Sequence, residues 1–495
     1  MNFTLFDWAI LFLYLAFSVF IGIRAKKYVE DMEAYFVAGR RVRVALGSAT
    51  LIATEIGIVT FMYLGEIGYL TGFSSFVLGV IGAVAFLIIG KTGFIVSRLR
   101  KLKVITIPEF YELRYSKGVR LLGAIILFMG GVLNMGVFLK FDGLFLGEVM
   151  GFGVSRDVLF IIMTVMLIIV ISYTVLGGMF SVIITDFMQF IVLSFGMFIT
   201  TFFILKSVNL SDVAHAVLNY YGEEGINPVL NSRFGWKFLL WMLIASVTTS
   251  GLWQPVTSKS LSAEDEIVGR KIFTYTGLTL AGRYMIPMFW GVCALSVFGP
   301  SVNSQIAMPK LIAHVVPTGF LGLLVAGMLA ASMSTYSAYL LAWSSVATRD
   351  IIQPLFKKDL GEKGSINATR VVAVLIGLYL LFFGLFYEIP TTAFQYIAVT
   401  GAMYTSGAFG CVAGGLYWKK ANSTGAYVAL IAGAVFPLVF LILSLFKNFI
   451  PETLHFLLDV NLSGFLSFIL ASIGMVVGSI LSGKTNPPKE INFEK

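Results

Sequence analysis

The stretch of sequence that decides the fold is LGSATLIATEIGIVTFMYLGEIGYLTG, residues 46–72. It is long enough to cross a membrane, yet it is rich in glycine and polar at its middle, which is typical of a discontinuous helix that exposes backbone carbonyls. Five predicted spans later, LIASVTTSGLWQPVTSK, residues 243–259, shows the same disturbance. Helices five spans apart run in opposite directions. The pair therefore predicts an inverted repeat of five plus five helices, with binding near the midplane.

The composition of the whole chain is that of a polytopic membrane protein. Its 495 residues are 58% hydrophobic and 12% charged, whereas soluble domains are roughly 25% charged. Apolar stretches of the length that crosses a bilayer predict an all-α fold with about 13 transmembrane helices in a single domain. Cys293 and Cys411 lie in apolar segments and indicate neither a disulfide nor a zinc site.

The distribution of basic residues predicts the orientation of the chain. With the N-terminus outside, 26 of the 35 Lys and Arg residues, Lys259 among them, fall in cytoplasmic segments and six in outside loops. The positive-inside rule therefore predicts N-outside and C-inside in the cell (inner) membrane. It also explains the net charge of +9 without a nucleic-acid partner. The remaining three, Lys91, Lys140 and Arg283, lie within predicted spans, and the sequence gives no role for Arg283.

Two carboxylates fall within predicted spans. Glu55 lies about eleven residues into the second span, hence roughly 16 Å deep by the helical rise, and Asp186 lies nearer the cytoplasmic end of its span. A carboxylate at such a depth must be paired, hydrogen-bonded, protonated or close to a cation. Each is therefore a candidate coupling group, and a structural carboxylate that holds a helix contact is the alternative.

The ninth predicted span contains LAASMSTYSAY, residues 329–339. Ala331, Ser334 and Thr335 share one helical face, which presents a carbonyl and two hydroxyl oxygens. Because small hard cations prefer oxygen ligands, we predict a cation site here, completed by carbonyls freed in the second span. Hydroxyls that only bond back to helix carbonyls or hold helices together are the alternative.

Several motifs resemble the sodium:solute symporter family over nearly the whole chain. They are ATEIGIVTF at 53–61, GGMFSVIITDFMQ at 177–189, GLWQP at 251–255 and GLLVAGMLAASMSTYSAYLLAWSSVATRD at 322–350, the last most similar to the sodium/proline branch. The family has a LeuT-type inverted repeat. The resemblance implies a leading helix and cytoplasmic loop at 1–43, repeats at 44–206 and 236–417, and two trailing helices with a cytoplasmic tail at 424–495.

The resemblance also implies the ligands of a sodium ion. Some members bind a second sodium between an aspartate that matches Asp186 and two positions that here read Ser337 and Ala338. Because alanine has no hydroxyl, one sodium is expected. Glu55 stands where the proline branch has an aspartate, which implies a role in sodium affinity or solute coupling. The implied sodium ligands are backbone oxygens of Ala53, Ile56 and Ala331 and side-chain oxygens of Ser334 and Thr335.

Together these features predict a sodium-coupled symporter that imports a small organic solute, with an amino acid or monocarboxylate favoured. Sodium, the solute and membrane lipid are the expected partners, and a monomer is expected. A proton-coupled carrier using Glu55 or Asp186, and a sodium/sugar or sodium/vitamin symporter, are the alternatives. An enzyme is disfavoured because the three histidines fall in or beside outside loops. Candidate solute-lining residues are Thr54, Thr60, Glu66, Lys140, Thr249, Trp253, Gln254, Gln395 and Tyr396.

Overall fold

A computed structural model describes residues 3–25, 37–356 and 360–491, without the side chains of residues 19, 22–25, 173, 175–178, 180 and 181. Within these ranges the regular structure is helical, apart from an isolated parallel bridge between Val42 and Ala263. The predicted cytoplasmic residues Lys26, Lys27, Lys357, Lys358 and Lys495 lie outside the described residues.

Nine helical segments of the described chain are long and apolar enough, by length and composition, to cross a membrane. Two shorter apolar helices, Leu5–Ser18 and Val44–Glu55, add to them. The all-α membrane architecture is therefore confirmed, while the predicted number of spans is not. The nine segments are Ile58–Thr92, Lys117–Val149, Val182–Ser207, Glu266–Phe298, Phe320–Phe356, Gly361–Phe386, Ala393–Tyr417, Ser423–Leu445 and Val460–Leu481.

Both predicted interruptions are present. The first interrupted helix consists of Val44–Glu55 and Ile58–Thr71, and Ile56 between them has φ −124° and ψ 87°, outside the helical region. The second interrupted helix consists of Gly235–Leu252 and Gln254–Leu261, separated by Trp253 at φ −77° and ψ 117°. Its second half begins with Pro255 in the first turn, where the missing amide costs no helical hydrogen bond.

One predicted boundary is absent. The sequence predicts separate spans at 157–176 and 179–205, but the backbone stays helical from Arg156 to Ser207. The two glycines at 177 and 178 suggested a loop. A glycine inside a helix costs only about 1 kcal/mol relative to alanine, which neighbouring helical residues offset.

The helix Phe320–Val346, which we call the hydroxyl-rich helix, lies at the centre of the molecule. Nearly all its side chains are buried, and it packs against both interrupted helices and against Arg156–Ser207. It continues as a π-helix over Ala347–Ile352. The other α-helices of six or more residues are Leu5–Ala25, Phe76–Thr92, Val96–Lys101, Ile107–Arg114, Lys117–Met135, Phe138–Val149, Leu210–Tyr221, Glu266–Phe298, Ser304–Val315, Gly361–Phe386, Ala393–Tyr417, Ser423–Leu445 and Val460–Leu481.

Candidate cation and solute site

The break in the first interrupted helix lies directly against the hydroxyl-rich helix. The Thr335 hydroxyl is 3.4 Å from the Thr54 carbonyl oxygen and 3.1 Å from the Ala331 carbonyl oxygen. A β-carbon added at Gly57 would lie 2.5 Å from Thr335 Oγ1, so only glycine allows this approach. The structure thus brings the broken backbone and the predicted hydroxyl face together.

The oxygens at this contact suit a small monovalent cation. Ser334 donates its proton to Asp186 Oδ1 at 2.6 Å, which leaves the lone pairs of the serine oxygen free for an ion. Ala53 belongs to the last turn of Val44–Glu55, whose carbonyls have no partner within the helix. The described residues contain no group of three or more His, Cys, Asp and Glu side chains that could hold a metal. Neutral hard oxygens therefore fit sodium better than a transition metal.

Asp186 is paired with Lys259, which the charge pattern places among the cytoplasmic loop residues but which lies in a buried helix. Lys259 Nζ lies 3.1 Å from Asp186 Oδ2 and 3.0 Å from Thr50 Oγ1, and the Thr50 hydroxyl also donates to Asp186. Both charged side chains are fully buried. The residues after Pro255 belong to the helix Gln254–Leu261 and not to a loop, and pairing with a carboxylate makes the burial of its lysine tolerable.

The two other positions predicted around Asp186 do not reach its carboxylate by a hydrogen bond. The Ser337 hydroxyl bonds back to the Ser334 carbonyl at 3.0 Å, and Ala338 offers no side-chain oxygen. The described groups that bond to the carboxylate are Lys259, Ser334 and Thr50.

A cavity of about 200 Å³ lies beside both breaks. Glu55 faces it, and its Oε2 accepts a hydrogen bond from the Tyr284 hydroxyl at 3.2 Å. Trp253, at the second break, donates from Nε1 to the Tyr339 hydroxyl at 3.0 Å. Among the predicted residues, Glu55, Thr249 and Trp253 line the cavity. Further polar and aromatic residues that line the cavity, and that the sequence did not single out as solute-lining, are Tyr63, Phe86, Asn134, Ser246, Ser250, Tyr284, Tyr339, Phe394 and Thr405.

Seven predicted solute-lining residues do not line this cavity, and their contacts favour structural roles. Five of them donate to backbone carbonyls. Gln254 donates to the Ile105 carbonyl at 3.2 Å and accepts from the Ile107 amide at 3.0 Å, at the start of the helix Ile107–Arg114. The other four donors are Thr54 to Thr50 O, Thr60 to Glu55 O, Lys140 to Tyr387 O and Tyr396 to Leu133 O.

The remaining two of these seven residues lie together near one end of Ala393–Tyr417. Glu66 accepts from the Ser304 hydroxyl at 3.0 Å and from the Ala393 amide at 3.1 Å. Gln395 accepts from the hydroxyls of Thr391 and Thr392. These contacts cap and join helix ends.

Arg283, unexplained by the sequence, makes contacts with the helix Arg156–Ser207. Its guanidinium donates to Ser194 Oγ at 2.9 Å and lies 4.6 Å from the centre of the Phe190 ring. A cation held against an aromatic face in this way stabilises helix packing. These contacts show what Arg283 touches within the predicted span, while its Nη1 is buried without a hydrogen-bond partner among the described residues.

Curated transporters are similar to this sequence over most of its length. The sodium/sialic acid symporter of Proteus mirabilis is 24% identical over 452 residues, 88% of this chain and 89% of that protein. The sodium/glucose cotransporter of Vibrio parahaemolyticus is 24% identical over 479 residues, with 90% and 87% covered. The sodium/proline symporter of Haemophilus influenzae is 24% identical over 517 residues, with 98% and 96% covered.

Solved structures share the fold. A substrate-bound, outward-open Na+-coupled sialic acid symporter aligns with a TM-score of 0.79 at 20% identity, over 97% of this chain and 98% of that one. A nucleobase-cation-symport-1 family transporter aligns with a TM-score of 0.53 at 14% identity, over 92% and 95%. These likenesses support the LeuT-type architecture that the family resemblance implies.

The family assignment rests on a match over most of the chain. The sequence model of the sodium:solute symporter family matches residues 35–254 and 271–433. The family and the relatives above are transporters, so the protein is a transporter and not an enzyme. This multi-pass membrane protein belongs to the sodium:solute symporter family.

Proposed function

We propose that the protein is a sodium-coupled secondary symporter that imports a small organic solute across the cell (inner) membrane by alternating access. The observation that carries this proposal is the contact between the Thr335 hydroxyl and the Thr54 carbonyl, which brings the broken backbone to the hydroxyl face. One sodium ion would bind between the two helices. Its ligands would be Ala53, Ile56, Ala331, Ser334 and Thr335.

The proposed topology is a five-plus-five inverted repeat with the N-terminus outside and the C-terminus inside. The breaks at Gly57 and Trp253 occupy corresponding positions in its two halves. Removing Lys259 from the loop residues leaves the strong excess of basic residues on the predicted cytoplasmic side.

The solute would bind in the cavity beside the two breaks. It is lined by Tyr63 and Leu64 beyond the first break and by Met242 and Thr249 before the second. In the proposed topology both segments lie on the outer side of the breaks. Sodium bound at Thr335 would stabilise the outward-open arrangement, and its loss to the cytoplasm would favour solute release there. Each sodium ion that moves down 100 mV contributes about 2.3 kcal/mol, enough for a solute gradient of a few tens-fold.

A stoichiometry of one sodium per solute is supported by the surroundings of Asp186. The Lys259 ammonium already supplies a positive charge 3.1 Å from its carboxylate. A second sodium there would face like-charge repulsion and would find no hydroxyl at Ala338.

Thermal stability in matched salts tests the coupling ion without knowledge of the solute. Purified protein should unfold at a higher temperature in sodium chloride than in equimolar potassium chloride, since ligand binding stabilises the folded state. Ser334→Ala should remove most of the difference. Proteoliposomes given labelled alanine, proline or lactate in separate assays should then accumulate at least one of these compounds under an inward sodium gradient at fixed pH. Equal stability in both salts, with uptake driven by a pH gradient alone, would establish the proton-coupled alternative.

A further inference from the structure

The cavity holds a carboxylate that has no cationic partner among the described side chains. Glu55 is partly exposed to the cavity, and the hydrogen bond to its carboxylate comes from the neutral Tyr284 hydroxyl at 3.2 Å. Asp186 is paired with Lys259, and Asp350 with Arg120. Two other buried carboxylates, Asp142 and Glu66, accept their hydrogen bonds from neutral groups as Glu55 does, but only Glu55 of these three lines the cavity. An ionised carboxylate away from bulk water is stabilised by a counter-charge, and a cation that enters the cavity would supply one to Glu55.

The walls around Glu55 suit an organic cation. Aromatic rings of Tyr63, Trp253, Tyr284 and Tyr339 line the same cavity. The hydrogen bond from Trp253 to Tyr339, at 3.0 Å, fixes two of these rings relative to each other. The face of an aromatic ring attracts ammonium groups, most strongly where water is excluded.

The proposed sodium ligands do not include the Glu55 carboxylate. The proposed sodium ligands are backbone carbonyls and the hydroxyls of Ser334 and Thr335, whereas the Glu55 carboxylate is directed to Tyr284. Sodium and solute would therefore bind at the same break through different groups.

We infer that the transported solute carries a positively charged amine, which binds the Glu55 carboxylate and lies against the aromatic rings. This inference rests on the proposed symport function and narrows its substrate class. It selects amino acids and other small ammonium compounds over monocarboxylates that lack an amine, since a solute with only a negative charge would be repelled by Glu55. In a zwitterionic solute the carboxylate would point away from Glu55.

Pairs of compounds that differ in one charged group test the inference on purified protein in sodium. The probes are alanine against lactate, proline against tetrahydrofuroate, and choline against its neutral carbon analogue dimethylbutanol. At least one ammonium member should raise the unfolding temperature while its partner does not. Glu55→Gln should weaken the affinity for that member by about tenfold or more, because it removes a charge-assisted hydrogen bond.

Two controls keep this result separate from the sodium proposal. Glu55→Gln should retain the stabilisation by sodium alone, which also shows that the variant is folded, and Glu148→Gln should retain the preference for the amine because it removes an equal charge outside the cavity. Preference for lactate, tetrahydrofuroate or dimethylbutanol, or no response to any ammonium probe, would overturn the inference. If sodium did not stabilise the wild-type protein, the proposed coupling would instead be overturned. The difference in stabilisation between the two members of each pair could still be measured.

Discussion

The ammonium of Lys259 lies 3.1 Å from the carboxylate of Asp186, and neither side chain is exposed to solvent. The second oxygen of the same carboxylate accepts a hydrogen bond from Ser334 at 2.6 Å. One aspartate therefore connects a fixed positive charge on the second interrupted helix to a proposed sodium ligand on the hydroxyl-rich helix. A change in the position of either Lys259 or Ser334 would therefore affect the other through Asp186.

Removing one member of this pair should be strongly destabilising. Lys259→Met or Asp186→Asn leaves a buried polar group without its partner, and breaking buried ion pairs costs about 3–5 kcal/mol. The double variant should lose less than the sum of the two single losses, because neither charge is then left unpaired. Unfolding temperatures of the four proteins in potassium chloride measure this coupling. Strictly additive losses would contradict a direct interaction.

Gly57→Ala tests the close approach of the break to Thr335. The added β-carbon would lie 2.5 Å from Thr335 Oγ1, so one helix has to move away. We expect a loss of about 1–3 kcal/mol from overpacking and a weaker sodium response. Gly282→Ala is the matched control, since nothing lies within 4 Å of a β-carbon there. The assignment fails if both variants keep the sodium dependence of the wild type.

Ser334→Ala and Thr335→Ala test the two hydroxyl ligands. Each removes one oxygen from the proposed sodium site, so the sodium concentration for half-maximal stabilisation should rise by about tenfold, the equivalent of about 1.4 kcal/mol. Ser344→Ala is the control on the same helix, because that hydroxyl bonds back to the Leu340 carbonyl, away from the break. The unfolding temperature of each of the three variants, measured as a function of sodium concentration, gives these values. Unaltered sodium dependence in both test variants would show that sodium binds elsewhere.

The elements that could be predicted from the sequence are those with a local chemical signature. Glycine and polar residues in the middle of apolar spans predicted both breaks, and spacing on one helical face placed Ala331 and Thr335 within hydrogen-bond distance. Tyr339 could also have been found, since it follows Thr335 by four residues and lies one turn further along the same helix.

The remaining parts of the site depend on contacts between segments far apart in sequence. Tyr284 meets Glu55 across 229 positions, and Lys259 meets Asp186 across 73. Hydropathy gives no sign of either meeting. The count of basic residues places Lys259 in a cytoplasmic segment, and only its tertiary pairing with Asp186 explains its burial.

The stoichiometry gives the sharpest test of the role of Lys259. In the wild type we expect a Hill coefficient near one for sodium, because the ammonium occupies the neighbourhood of Asp186. Ala338→Ser alone would add a hydroxyl but leave that charge in place, so the Hill coefficient of this variant should stay near one.

Combining Ala338→Ser with Lys259→Gln leaves the Asp186 carboxylate and an added hydroxyl without a neighbouring cation. The double variant should therefore bind a second sodium and show a coefficient approaching two, together with a steeper dependence of unfolding temperature on sodium than Lys259→Gln alone. Sodium-driven uptake and thermal titration measure both quantities, and a wild-type coefficient close to two would show that Lys259 does not exclude the second ion.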